Sequence, residues 1–548
     1  MKVVRGSLIA VLLAAAACAP AGVPTPVQPP PPTRGYVLIS LDTLRADHLS
    51  AYGYERETSP FLSELAERAA LFERVVAPYP ATLVSHMSLF TGLYPQQHAV
   101  YPPNGVLSPE VPTLPEVLRA AGFRTAGFTE GGFVAGGFGF SRGFERFADP
   151  PYEADDDIEA TFERGLEFLR EVGPDERFFL FLHSYSVHDP YAPPEPWRER
   201  FAPADPGSAT LSLGENLRDA NRGRLELPPG AVGDFRRLYD GSVAYVDGVL
   251  RSFFVALEAA GLADETTLLV TSDHGEELRE HGRLGHTQLY PESLFVPLLV
   301  VHPLQREAVR VDRLVRLVDV APTVYDLARV EPPPGLAGES LAPCLVAPEI
   351  CAGRPAYAEV SDEERNRTLL VEEDGRLYQF HLVVYDGDPE GTWISRRATF
   401  DVHGPELTFE SRSFHRPRAL RFLVGDEEIG RAEVGTDWGR YAVALPSVGR
   451  VRVTVEADGC DTPARVGEGD DHRCLSVILK GLLLTRSELF DLAADPGATR
   501  DLSAELPDVH RRLARRLAEL SWEPRAESLE TTLTEQQREM LEALGYLD

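Results

Sequence analysis

Short apolar runs alternate along this chain with segments whose apolar residues recur every three to four positions. Tyr36 to Leu41 is a nearly unbroken apolar run rich in strand formers, the pattern of a strand buried on both faces. Similar runs occupy Arg177 to His183, Thr266 to Thr271 and Phe295 to Val301. Between them a helical period is visible at Ser59 to Phe72, at Leu114 to Ala121 and at Phe162 to Val172. Strands alternating with helices predict an α/β domain built on a central, mostly parallel sheet. Ligands of such sheets bind beyond the carboxyl ends of the strands. Asp42, His188 and Asp273 each fall just after a predicted strand.

From Thr392 to Leu484 the texture changes to alternating apolar and polar residues with frequent turn signals, as in Ala419 to Val424, Tyr441 to Leu445 and Val451 to Val455. That pattern predicts a small antiparallel β-sandwich. Beyond it, Leu506 to Leu520 and Thr534 to Leu544 are amphipathic helices. There are no internal repeats.

Composition narrows the partners. Against 54 Lys and Arg stand 85 Asp and Glu in 548 residues, a formal charge of -31. That balance excludes a nucleic-acid partner, which would need clustered cations. Met1 to Arg5 is basic, Gly6 to Ala17 is apolar and small residues precede Cys18, so residues 1–18 are read as a secretory signal. Ala15-Ala16-Ala17-Cys18 resembles a bacterial lipoprotein box, with Cys18 as the lipidation site. The Pro-rich residues 19–34 then form a linker, and Ala19 after the cysteine points by analogy to the outer membrane. No later apolar run reaches the roughly 18 to 20 residues that span a bilayer. The expectation is an exported, periplasmic protein whose membrane contact is an N-terminal lipid. In that oxidising compartment Cys344 with Cys351, and Cys460 with Cys474, are candidate disulfides.

Three segments carry the candidate chemistry. They are Leu41-Asp42-Thr43-Leu44-Arg45-Ala46-Asp47, Ala81-Thr82-Leu83-Val84-Ser85-His86 leading to Thr91-Gly92, and Thr271-Ser272-Asp273-His274-Gly275-Glu276. In this order they resemble the active-site motifs of the sulfatase family within the alkaline phosphatase superfamily. Glu488 to Leu492 with Asp495-Pro496 also resembles a C-terminal sulfatase element. The resemblance implies a sulfatase-like catalytic domain over residues 35–385, a β-sandwich inserted at 386–486 and a C-terminal subdomain at 487–548. The sandwich is similar to galactose-binding jelly rolls, although a plain packing role is the simpler reading.

An enzyme that cleaves phosphate or sulfate esters must stabilise charge on the transferred group and activate a nucleophile, and a divalent cation held by carboxylates serves both needs. Asp42, Asp273 and His274 supply carboxylate and imidazole ligands, and the Thr82 hydroxyl completes the set. Thr43 stands where many sulfatases have a second Asp. With His274 this favours zinc or manganese, with calcium as the alternative, and the expectation is a single ion. Thr82 occupies the nucleophile position, which in sulfatases is a Cys or Ser converted to formylglycine, so no formylglycine is expected. His86 replaces the family's Arg. His188, in Val187-His188-Asp189-Pro190-Tyr191, resembles the H-x-P-Y loop that contacts the ester. His286 stands where a Lys usually assists the leaving group, and a histidine there is expected to donate a proton. Thr43, Arg45, Ser85, Glu130 and His281 are candidate substrate contacts, whereas His98 and His183 are read as structural.

Lys2 and Lys480 are the only lysines, so neither of the two lysines that sulfatases use has a counterpart. Threonine also lacks the second hydroxyl by which a hydrated formylglycine expels sulfate, whereas a phosphothreonine is open to attack by water. The expected function is metal-dependent hydrolysis of phosphate, phosphonate or sulfate esters, phosphorus ahead of sulfur. The substrate is a small anionic ester, a sulfated or phosphorylated glycan or a lipid head group. The alternatives are a phosphoethanolamine-type transferase and a degenerate enzyme that binds an anionic glycan.

Overall fold

The computed structural model describes residues 29–150, 157–201, 210–361, 365–385, 392–394, 396–402, 406–425, 427–446, 451–466, 475–480, 484–520, 522–535, 537–538 and 541. Residues 1–18, the candidate lipid site Cys18, most of the Pro-rich linker and Cys474 lie outside this set.

Eight strands make the central sheet: β1 (Gly35–Leu41), β2 (Ala70–Val76), β3 (Arg124–Phe128), β4 (Arg146–Ala148), β5 (Phe178–Ser184), β6 (Thr266–Thr271), β7 (Phe295–Val301) and β8 (Val309–Arg316). Their spatial order is β8-β2-β7-β6-β1-β5-β3-β4. All neighbours run parallel except β7, which is antiparallel to both β2 and β6. The fold is therefore α/β with a mostly parallel sheet. Both faces are covered, which is why the strands read as continuous apolar runs. Tyr36 and Leu38 pack on one face with α2 (Thr82–Thr91), while Val37, Ile39 and Leu41 face the other with α1 (Pro60–Ala66).

One expected element divides in two. Ser59 to Phe72 reads as a single helix, but α1 ends at Ala66 and Ala70 begins β2. The helical period of Ser59 to Phe72 runs on through Glu67-Arg68-Ala69, yet Ala70 to Val76 pairs on both sides with β7 and β8. Tertiary pairing overrides local propensity there.

Beyond residue 355 a second sheet of four antiparallel strands forms from Ala356–Ser361, Arg365–Glu373, Arg376–Tyr385 and Leu484–Asp491. Between its third and fourth strands the chain builds two further four-stranded antiparallel sheets. Leu407 and Phe409 from one and Leu420, Phe422 and Val453 from the other meet in one apolar core. It then returns to pair Leu489 with Phe380. Cys344 and Cys351 are joined by a disulfide. Among the described residues no helix is long and apolar enough to cross a membrane.

Among the described residues the longest helix is Ala231–Ala259, whose Tyr239 hydroxyl donates to the carbonyl of Thr43 at 2.7 Å and accepts from the N–H of Arg45 at 2.9 Å, just past β1. Its Asp247 accepts hydrogen bonds from the N–H groups of Phe61 and Leu62, both at 2.9 Å, and so caps the start of α1 from outside. Burial pushes the Asp247 carboxyl up to about 6, while these two N–H groups pull it back down. Asp247→Ala leaves both donors without this acceptor and should cost about 1–3 kcal/mol of stability, read by urea denaturation. An unchanged midpoint would show that the cap contributes nothing.

Candidate active site

Strand direction assembles the site. Asp42 follows β1, Thr82 follows β2, Glu130 follows β3, His188 follows β5 and Asp273 follows β6. These strands all run the same way, so the residues gather at one edge of the sheet. Because β7 runs the other way, the loop before it, which carries His286 and Glu292, arrives at the same edge.

Asp42, Asp273 and His274 offer one ligand atom each, all within 4.8 Å of one another, and all three residues are fully buried. His274 donates from Nδ1 to the carbonyl of Gly275 at 2.9 Å, which leaves a lone pair on Nε2. That lone pair lies 3.3 Å from Asp273 Oδ2 and 3.9 Å from Asp42 Oδ1. Asp42 Oδ1 makes no hydrogen bond among the described residues. Burial and then the charge of Asp273 push Asp42 well above the usual carboxylate range. Asp273 is also raised by burial, but the neighbouring His274 and His86 hold it well below that range. Two carboxylates and an imidazole lone pair facing one another repel unless a cation lies among them, so the donor set fits a divalent ion.

Thr82 is the first residue of α2, with Ala81 in the N-cap position, so its hydroxyl is not spent on capping the helix. Thr82 Oγ1 donates to Asp42 Oδ2 at 3.1 Å and lies 3.4 Å from His274 Nε2. The start of α2 turns its first N–H groups toward this place, which favours an anionic ester there.

Several side chains expected at the substrate instead hold the ligands. Ser85 donates to the carbonyl of Asp273 at 2.7 Å. His86 donates from Nδ1 to the carbonyl of Thr82 at 2.9 Å and accepts from Ser40 Oγ at Nε2, also at 2.9 Å. Its Nδ1 is 3.3 Å from Asp273 Oδ2, so it braces Asp273 from below. Arg45 is buried with its guanidinium on Asp47, Glu280 and the carbonyl of Glu276, a loop brace with every donor nitrogen engaged. His281 bridges Glu292 at 2.6 Å and the carbonyl of Ala498 at 3.2 Å, tying the site loop to the C-terminal region. Glu130 accepts from the N–H of Tyr185 at 2.7 Å. Thr43 sits beside Asp42 at φ 55 with its hydroxyl making no hydrogen bond among the described residues. A β-branched residue in that left-handed region is strained, and such strain concentrates at functional sites.

His188 and His286 do meet, with their Nε2 atoms 3.2 Å apart. Proton donation by His286 does not match its surroundings. Its Nδ1 is committed to the carbonyl of Pro80 at 3.0 Å, and burial with the neighbouring His274 and His188 holds it well below the ordinary imidazole value. A neutral ring with that tautomer has no proton to give at Nε2.

His98 is structural: it accepts the N–H of Val100 at Nδ1 and lies 3.0 Å from Ser88 Oγ. His183, read as structural too, belongs to the site. Its Nε2 is 3.4 Å from Asp42 Oδ2, and its ring packs at 4.8 Å against His86. The signal in the sequence was a polar pair, His183-Ser184, ending the otherwise apolar strand Phe178–Ser184. Glu276 went unassigned as well, although it is fully buried beside the ligands. Gly275 has a backbone reason to be glycine. A Cβ there would come within 1.9 Å of the Glu292 carbonyl oxygen, so the loop after His274 packs directly on the segment before β7.

The family model described as Sulfatase matches residues 34–330. Arylsulfatase K of Danio rerio is 36% identical over 124 residues, 23% of this chain and 24% of its own length, so the chain matches about a quarter of that relative. An arylsulfatase of Clostridium perfringens (strain 13 / Type A) is 24% identical over 461 residues, covering 72% of this chain and 90% of its own. Among solved structures, the phosphonate monoester hydrolase of Agrobacterium radiobacter has a TM-score of 0.58 at 16% identity, over 89% of this chain and 95% of that one.

Asp273→Asn removes a charged ligand while keeping its shape. The variant should lose the ion held with Asp42 and His274, measured by elemental analysis of the purified protein. Undiminished metal content would take Asp273 out of the ligand set.

Proposed function

The chain belongs to the sulfatase family, and we propose that it is a metal-dependent hydrolase of phosphate, phosphonate or sulfate esters with Thr82 as nucleophile, phosphorus esters ahead of sulfate. The observation that carries this reading is the position of the Thr82 hydroxyl, inside the carboxylate and imidazole cradle and at the start of a helix. A threonine hydroxyl in water is a poor nucleophile. A divalent cation, zinc or manganese by the donor set, supplies Lewis acidity that lowers the hydroxyl pKa and neutralises charge on the ester.

The residues of the chain then divide the remaining work. Asp42 accepts the hydrogen bond of the Thr82 hydroxyl and so aims its lone pairs outward. Thr82 Oγ1 passes its proton toward Asp42, its hydrogen-bond acceptor, and forms a bond to phosphorus as the bond to the ester oxygen breaks, and the leaving oxygen departs with a proton from solvent. Water then attacks phosphorus and gives its proton to solvent, the bond to Oγ1 breaks, Oγ1 takes back a proton from the Asp42 side, and free Thr82 results with phosphate from a monoester, a phosphate monoester from a diester or a phosphonate from a phosphonate ester. This second step favours phosphorus, because threonine cannot expel sulfate by carbon–oxygen cleavage as a hydrated formylglycine does. The Cys344–Cys351 disulfide and the leader-like first 18 residues support an exported enzyme tethered through Cys18.

Thr82→Ala should lower turnover of aryl phosphate, phosphodiester, phosphonate and sulfate substrates by at least about 10³-fold while the thermal midpoint is kept, and Thr82→Ser should recover part of the rate. Activity in Thr82→Ala equal to the wild type would remove Thr82 from the mechanism. A panel that is hydrolysed only at sulfur would reverse the order of substrates.

A further inference from the structure

Both ring nitrogens of His281 face oxygens that accept. Nδ1 lies 2.6 Å from Glu292 Oε1, and Nε2 lies 3.2 Å from the carbonyl oxygen of Ala498. A neutral imidazole has a single N–H, so it can serve one of these and must turn a lone pad of electrons on the other. An imidazolium serves both. The proton on the short contact rests on the ring, because imidazole is a stronger base than a Glu carboxylate by about 2 pKa units. The ring also lies flat on Tyr290, with centroids 3.7 Å apart and planes 3° from parallel, a packing that suits a cation over an aromatic face.

The ionisable groups around this ring favour its charge. Glu292 is 5% exposed and Glu277 is fully buried, and among the described residues no other cation pairs with either carboxylate. Tyr290 donates its hydroxyl to Glu488 at 3.0 Å, and His381 meets Tyr290 edge-on at 5.1 Å. Burial works against a charged His281, but Glu292, the Ala498 carbonyl and Glu277 outweigh it and hold the ring above the ordinary imidazole value. Glu277, pushed up to about 7 by burial and by the charge of Glu292, ionises over the same range.

The two arms of the contact reach different parts of the molecule. The Glu292 carbonyl accepts the N–H of Glu276 at 3.1 Å and the Ser293 carbonyl that of Gly275 at 2.9 Å, so this segment carries the two residues that follow His274. Ala498 stands in the turn after the last strand of the second sheet, at φ 48, a left-handed backbone that presents its carbonyl to the ring.

We propose that His281 is a positioning residue that works as an imidazolium, clamping Glu292 to the Ala498 turn and so holding the segment after His274 in place. Loss of its second proton opens one arm and leaves Glu292 and Glu277 without a cation. The clamp therefore sets an upper pH limit on the assembled site. The sign follows from the direction of the shift. A histidine held above its unfolded value of about 6.5 contributes stability that is fully present below that value and is lost as pH rises through the folded one.

The full-length wild type and His281→Ala are compared between about pH 6 and pH 9. The thermal midpoint of the variant should lie below that of the wild type at the acid end, and the gap should shrink at least about twofold by the alkaline end. The ratio of the two kcat/KM values toward aryl phosphate, an arm that rests on the hydrolase reading, should narrow at least about threefold over the same range. A midpoint gap that is constant with pH would overturn the proposal. Should the variant fail to fold, hydrogen exchange of the wild type decides. Protection of residues 275–292, corrected for the intrinsic rate, should fall at least about tenfold more than that of Phe178–Ser184 across this range, and equal changes would overturn the clamp. No turnover at any pH, with a midpoint gap that still shrinks, would refute the hydrolase reading and leave the clamp standing.

Discussion

The structure is organised around a repulsion. Asp42 and Asp273 follow the adjacent parallel strands β1 and β6, both fully buried, with the lone pair of His274 turned toward them. Burial and the charge of Asp273 push the Asp42 carboxyl up, while the imidazoles of His274 and His86 hold Asp273 down. A divalent ion turns the same geometry into attraction. Much of the surrounding loop architecture then serves to keep these groups from relaxing away from one another.

That bracing comes from side chains whose types look catalytic. Ser85 and His86, one turn into α2, hold Asp273 through its carbonyl and its carboxylate side. Arg45 pins the loop carrying Glu276 and Glu280. His281 fastens that loop to the C-terminal region through the carbonyl of Ala498. Gly275 lets the backbone after His274 lie against Glu292 without a side chain between them. Residues that would have to touch substrate to be catalytic are here occupied with position, and preorganisation of this kind is what lets a small number of ligands act at full strength.

Around the cradle the chain places the imidazoles of His86, His183, His188, His274 and His286, and no ammonium, since Lys2 and Lys480 are its only lysines. Ammonium groups contribute positive charge of their own. An imidazole whose Nδ1 hydrogen is held by a carbonyl, as in His274, offers a lone pair at Nε2 instead.

The four apolar runs beginning at Tyr36, Arg177, Thr266 and Phe295 determined four neighbouring strands of the eight-stranded sheet, because strands buried on both faces are apolar throughout. Three ordered motifs likewise made Asp42, Thr82 and Asp273 legible, since a residue just past a parallel strand has one place to go. Local pattern misjudged Ser59 to Phe72, where pairing of Ala70–Val76 on both sides outweighed a helical period. It also said nothing of which histidine faces what. His183, His188 and His286 are alike in sequence, and only the folded loops decide that His188 and His286 meet at their Nε2 atoms, with the Pro80 carbonyl, 206 positions away, on the other nitrogen of His286. Tautomer and direction are properties of a side chain's neighbours in space, and those neighbours exist only once the chain has folded.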